Sequence, residues 1–182
     1  SAGLRALALT GIGCGPRARS TPMADMLVRL YALPDPAAAI ARAERAGVRI
    51  RRAAHRERDG LVAFVRATFG EGWVAECLAA FDREPIACFV AVRGDAIRGF
   101  ACHDVTRRNF FGPAGVATGD RGQGTGAALT LAALAAMREA GYAYAIIGGV
   151  GPADFYARVA GAVPIEGSTP GIYGPAAARE RR

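Results

Sequence analysis

Apolar residues recur along this chain in two rhythms, and glycine or proline marks most changes from one to the other. Leu61, Phe64, Val65 and Phe69 stand at helical spacing and predict a helix over Arg56 to Phe69, ended by Gly70. Gly72 to Phe81 repeats that spacing with Trp73, Leu78 and Phe81. Ala37 to Ala46 predicts a shorter helix, and Gly47 after it suits the left-handed position that closes many helices. Leu27 to Leu33 predicts a short strand closed by Pro34-Asp35-Pro36, and Val48-Arg49-Ile50-Arg51 alternates as a strand does.

The middle of the chain switches to strands. Pro85 to Val92, Ala96 to Val105 and Phe110 to Val116 are joined by the short turns Arg93-Gly94-Asp95 and Thr106-Arg107-Arg108-Asn109, which predicts an antiparallel meander. Gly112-Pro113 interrupts the third strand. Proline cannot donate to a ladder and glycine often marks a bulge, so this strand is expected to splay from a neighbour and keep backbone N–H groups free. A long Ala/Leu-rich helix over Gly124 to Glu139 follows, ended by Gly141. Tyr142 to Gly148 is apolar on both faces and predicts a buried strand parallel to the one before the helix. Pro152 to Val159 predicts a last helix with proline at its first position. Val163 to Glu166 and Gly171 to Tyr173 carry weak strand signals, and the tail Pro175 to Arg182 is expected to fray.

Composition narrows the class. With 182 residues the chain is most simply one domain over 23–182, large enough to bury a core without metals or disulfides. Hydrophobic residues make up 52% and charged ones 21%, but no run is long enough to span a membrane. Residues 1–22 are small, arginine-dotted and acid-free, and read as an extension outside the core. The net charge is +7, and all 23 basic residues are arginine. They are scattered, with one cluster at Arg49, Arg51, Arg52, Arg56 and Arg58, and aromatic residues do not interleave with them. A solvated surface rather than a nucleic-acid interface is expected. Cys14, Cys77, Cys88 and Cys102 form no C-x-x-C pair, and only His55 and His103 are available to join them. Neither a zinc site nor a disulfide framework is expected, and a reduced, cytoplasmic setting follows.

The candidate chemistry lies between the bulged strand and the long helix, in Val116 to Gly126 (V-A-T-G-D-R-G-Q-G-T-G). Glycines let backbone approach an anion, the N–H groups of a helix start point at it, and Arg121 adds a permanent charge. A phosphorylated ligand is therefore expected here. A Walker A loop requires a lysine, which this chain lacks. Gly122-Gln123-Gly124-Thr125-Gly126-Ala127 fits the dinucleotide pattern, but five residues separate Val116 from Gly122 and the next strand ends in Ile147-Gly148-Gly149 rather than an acid.

The pattern V-x-x-x-x-R-G-x-G-x-G, after a bulged strand and opening a helix, resembles the acetyl-CoA motif of the GCN5-related N-acetyltransferases (GNAT). Val116, Arg121, Gly122, Gln123, Gly124, Thr125 and Gly126 match it, and Phe155-Tyr156 stands on the later helix as in that family. The resemblance spans about Val48 to Tyr173. It implies an α/β (α+β) fold whose mixed, mostly antiparallel central sheet splays at the acetyl-CoA site, with helices on both faces. It further implies pantetheine contacts at Ala114, Gly115, Val116 and Ala117, and pyrophosphate contacts at Arg121 and Gly122 to Gly126. No metal is implied.

Transfer of an acetyl group to an amine needs a proton for the departing thiolate and removal of one from the amine. Tyr156 aligns with the tyrosine that many family members use as general acid. The family's frequent glutamate on the motif strand is absent, which leaves Asp104, His103 or an ordered water as the base. Neighbouring strand residues face opposite ways, so only one of His103 and Asp104 is expected in the cleft. Phe69, Trp73, Phe110 and Phe111 are candidates for an acceptor pocket. The expected activity is direct acetyl transfer to a small-molecule primary amine, without nucleic acid or membrane as partner. A non-catalytic acyl-CoA-binding module and a protein or peptide N-acetyltransferase remain open, as does homodimerisation.

Overall fold

A computed structural model describes residues 24–169 and Ile172. Among them, seven strands form one sheet in the order β2-β3-β4-β5-β6-β1-β7. These are β1 (Met26–Arg29), β2 (Arg49–Arg52), β3 (Cys88–Arg93), β4 (Ala96–His103), β5 (Phe110–Val116), β6 (Tyr144–Ile147) and β7 (Val163–Pro164). Five α-helices join them: α1 (Ala37–Arg45), α2 (Arg58–Phe69), α3 (Val74–Ala80), α4 (Thr125–Glu139) and α5 (Ala153–Ala160). The meander β3-β4-β5 is antiparallel as expected, and β5 and β6 are parallel, joined through α4. The fold is mixed α/β.

Helices cover both faces and divide the core. On one face α4 packs with α1 and with Ala91, Ala101 and Phe111 of the sheet. On the other, Leu61 and Val65 of α2 and Cys77 of α3 meet Val90, Phe100 and Cys102. In α4 every residue from Ala128 to Met137 is buried. A helix apolar all round has to be enclosed, and its alanines let α1 and the sheet approach closely. Burying a side chain such as Leu134 contributes roughly 1.5–3 kcal/mol. Cys77, Cys88 and Cys102 are buried free thiols. Among the described residues, no helix is long and apolar enough to cross a membrane.

Several boundaries move. The first predicted strand is shorter, because the chain turns into a 3₁₀ turn at Leu30–Ala32. β1 lies between β6 and β7, pairing antiparallel with each. The strand predicted over Tyr142 to Gly148 reduces to four residues, with Tyr144 44% exposed rather than buried. β1 covers the edge of β6 without enclosing that ring, which instead meets Tyr31 edge-on. Residues 1–22, the tail Pro175 to Arg182 and, apart from Ile172, the segment Gly171 to Tyr173 lie outside the described residues.

Candidate functional site

The site starts from the unequal edges of β5. Toward β4 the strand is paired along its length, from Val116 opposite Gly99 to Phe111 opposite His103. Within that ladder Gly112 and Pro113 stand opposite Cys102 alone, and Gly112 has a φ of 118° that a side chain would strain. Toward β6 the strand pairs only at Phe110 and Phe111. Beyond the bulge, that edge has no strand partner among the described residues. The Ala117 N–H donates to the Arg98 carbonyl at 2.9 Å. Antiparallel ladders alternate, so Gly115 also faces β4, while the backbone groups of Ala114 and Val116 face the opening. The Val116 carbonyl accepts from Arg121 Nε at 3.1 Å.

A pinned loop continues from this edge. Thr118–Asp120 form a 3₁₀ turn, and Gly122 and Gly124 take positive φ values of 77° and 91°. Arg93 of β3 holds the loop from beneath. It pairs with buried Asp120 at 2.8 Å and donates to Gln123 Oε1 at 2.9 Å. Gly124 leads into α4 with no side-chain cap and no acid in the first turn. The first helical bond runs from the Ala128 N–H to the Gly124 carbonyl. The N–H groups of Thr125, Gly126 and Ala127 precede it, so they have no helical acceptor and form a ready anion seat.

The two features share one cavity of about 710 Å³. Of the residues expected to hold the ligand, Ala114, Gly115, Val116, Arg121, Gly122, Gly124 and Gly126 line it. Ala117, Gln123 and Thr125 do not. The Ala117 N–H is spent on β4, the Gln123 side chain on Arg93, and Thr125 is buried beneath the helix start. Phe155 and Tyr156 of α5 form the facing wall.

Tyr156 is half-buried, its ring edge-on to Phe111 at 5.9 Å and to Phe155 at 5.0 Å. Burial pushes its hydroxyl above the ordinary tyrosine range, so it stays protonated at neutral pH. That hydroxyl makes no hydrogen bond to another described residue.

His103 and Asp104 are not among the residues lining the cavity. They also break the expected alternation, because β4 ends at His103 and Asp104 turns back with a φ of 57°. The two side chains meet, His103 Nδ1 lying 2.9 Å from Asp104 Oδ2. Asp104 Oδ1 accepts the Asn109 N–H at 2.8 Å and so closes the β4–β5 turn. Burial works to raise the Asp104 pKa, but hydrogen bonds from His103, Asn109 and Tyr142 together hold it below the usual value. His103 is buried beside Phe111, with Nε2 unpartnered.

Of the expected acceptor-pocket aromatics, Phe69 packs on Gly115 so closely that a Cβ there would lie 2.5 Å from its ring. Trp73 and Phe100 surround that ring at 5.3 and 5.8 Å, and Phe100 reaches the cavity. Phe110 and Phe111 instead hold the last pairs between β5 and β6.

Sequence reasoning missed Arg42 of α1 and Arg158 of α5, which also line the cavity. Each sits on an amphipathic helix where an exposed arginine is unremarkable, and only the fold brings them to the loop. The Arg93–Asp120 support was missed for the same reason, since the partners are far apart in the chain.

No protein-family model matches the chain, and no curated protein matches it in sequence. Solved structures do. The GCN5-related glucosamine N-acetyltransferase region of a fungal multi-domain GH3 beta-N-acetylglucosaminidase aligns with a TM-score of 0.65 at 17% identity, over 78% of this chain and 19% of that one. The GCN5-related N-acetyltransferase from Sphaerobacter thermophilus gives 0.58 at 19% identity, covering 79% and 49%. That from Kribbella flavida gives 0.56 at 19%, covering 80% and 55%. The chain thus spans about half or less of the length of these proteins. A sheet that opens beside a glycine loop, in a chain that aligns with these structures, is the fold of the GCN5-related N-acetyltransferases.

Proposed function

We propose that this protein transfers the acetyl group of acetyl-CoA directly to a primary amine of a small molecule. The observation that carries this reading is the continuity of the open β5 edge with the uncapped start of α4, inside one cavity that Tyr156 also lines. The two parts suit the two halves of the donor. The backbone groups of Ala114 and the Val116 N–H would pair with the pantetheine amides as a missing strand would. Arg121, the Gly122 to Gly126 backbone and the α4 dipole would hold the pyrophosphate. An acetyl thioester laid along that edge brings its carbonyl to backbone N–H donors, which stabilise the negative charge that develops on oxygen.

Tyr156 then serves as proton donor to the departing sulfur. A tyrosine on the cavity wall, its hydroxyl kept neutral by burial and without a partner among the described residues, is suited to that role. For the amine proton the reading uses His103, oriented by Asp104 and placed on the same face of the sheet as Phe111 and Tyr156. Because the pair lies outside the cavity lining, a water has to carry the proton to it. A turnover rate that is unchanged in His103→Asn removes His103 from the mechanism.

The small-molecule acceptor is supported by the neighbour described as a glucosamine N-acetyltransferase region, since glucosamine carries a primary amine. The test is a thermal-shift titration with acetyl-CoA, followed by a transfer assay against a library of amines, amino sugars and peptides. Stabilisation by acetyl-CoA with turnover on a small amine is the expected result. Stabilisation without turnover points to a binding module, turnover on peptides alone to a peptide acetyltransferase, and no stabilisation by any acyl-CoA overturns the proposal.

A further inference from the structure

Among the described residues three arginines line the cavity, from three separate elements: Arg42 on α1, Arg121 in the loop and Arg158 on α5. No acid among the described residues lines it with them. Arg121 is tethered to the Val116 carbonyl beside the helix start. Arg42 and Arg158 make no hydrogen bond or ion pair with another described residue. Arg42 is the more telling of the two. Its side chain lies across Gly124, with Cγ, Cδ and Nε all 3.1–3.3 Å from where a Cβ on that glycine would be. The arginine stem is thus packed directly on the backbone of the loop.

This exceeds what a pyrophosphate needs. A pyrophosphate diester carries two negative charges, and Arg121 with the α4 N–H groups already answers it. A guanidinium held over the same loop, exposed and without an acceptor among the described residues, suits a further phosphate. Coenzyme A carries one, on the 3′ position of its ribose. The phosphopantetheine arm of an acyl carrier protein has no such group.

We infer that Arg42 recognises the 3′-phosphate, and that it makes the protein select coenzyme A thioesters over donors that lack this group. The inference rests on the acetyl-CoA reading above. It extends that reading by assigning a donor-selecting residue outside the glycine loop, on a helix that carries none of the motif.

Calorimetric titration of the wild-type chain, Arg42→Gln and Arg158→Gln with coenzyme A and with 3′-dephospho-coenzyme A tests it. A charge-assisted contact predicts that the wild type prefers coenzyme A by roughly ten- to a hundredfold. Arg42→Gln should lose that preference by weakening coenzyme A alone, while Arg158→Gln keeps it. Equal wild-type affinities overturn the inference and leave the acetyl-CoA reading standing. So does equal weakening of both ligands in Arg42→Gln, or loss of the preference in Arg158→Gln instead. If neither ligand binds the wild type, both readings fall together.

Discussion

The two edges of β5 belong to the same seven residues and behave oppositely. The edge facing β4 is paired from Val116 to Phe111, is crowded, and is closed at its turn by Asp104. The edge facing β6 stops after Phe110 and Phe111, and the chain then runs into a loop and a helix start whose N–H groups have no acceptor among the described residues. The Gly-Pro step is absorbed as a bulge in the β4 ladder, whereas β6 ends at Ile147 opposite Phe111, so pairing on that side stops just before the bulge. A rigid edge therefore holds an unsatisfied one in place, which is how backbone polar groups can be kept ready for a ligand.

Perturbing the open side should have the largest effect. Replacing Tyr156 with Phe removes the proton donor and leaves the aromatic packing on Phe111 and Phe155 in place. Turnover should fall by roughly 10²- to 10⁴-fold with acetyl-CoA affinity unchanged. Steady-state kinetics beside a binding titration separates the two effects, and an unchanged kcat removes Tyr156 from the chemistry.

The paired side should answer in stability. A Cβ at Gly99 would lie 2.9 Å from the Gly115 carbonyl oxygen and 3.0 Å from Leu129 Cδ1. The first obstacle is backbone, so β4 and β5 have to part. Gly99→Ala should cost about 1–3 kcal/mol in urea unfolding. A loss below about 0.5 kcal/mol would mean that this edge is not rigid.

A smaller effect, and one that depends on pH, is expected at the turn. The Asp104 pKa is lowered in the folded chain, so its contribution is present above the ordinary carboxylate range and is lost as pH falls through the folded value. Asp104→Asn should cost about 1–2 kcal/mol near neutral pH, with the difference from wild type closing in acid. A difference that persists unchanged at low pH would assign the loss to shape rather than charge.

Much of this contrast was legible in the residues. Gly112-Pro113 predicted the bulge because proline has no N–H to give, and Val116 to Gly126 predicted an anion seat because glycine, arginine and a helix start are all local features. What stayed hidden depended on distant partners. Nothing around Leu27 to Leu33 says that a strand there will slot between β6 and β7. Arg42, Arg93 and Arg158 look like any exposed arginines until the fold carries them to the loop. His103 and Asp104 misled the reading for a different reason. Strand alternation sends adjacent side chains apart, but it ends where Asp104 takes up a left-handed backbone.

Amide hydrogen exchange, resolved by residue and read with and without acetyl-CoA, tests the central claim most directly. The free edge predicts that the Ala114 and Val116 amides exchange readily in the unliganded protein and slow in a saturable way as acetyl-CoA is added. The Gly115 and Ala117 amides, which face β4, should be slow from the start and change little. Tight binding of acetyl-CoA that leaves Ala114 and Val116 unprotected would contradict the account.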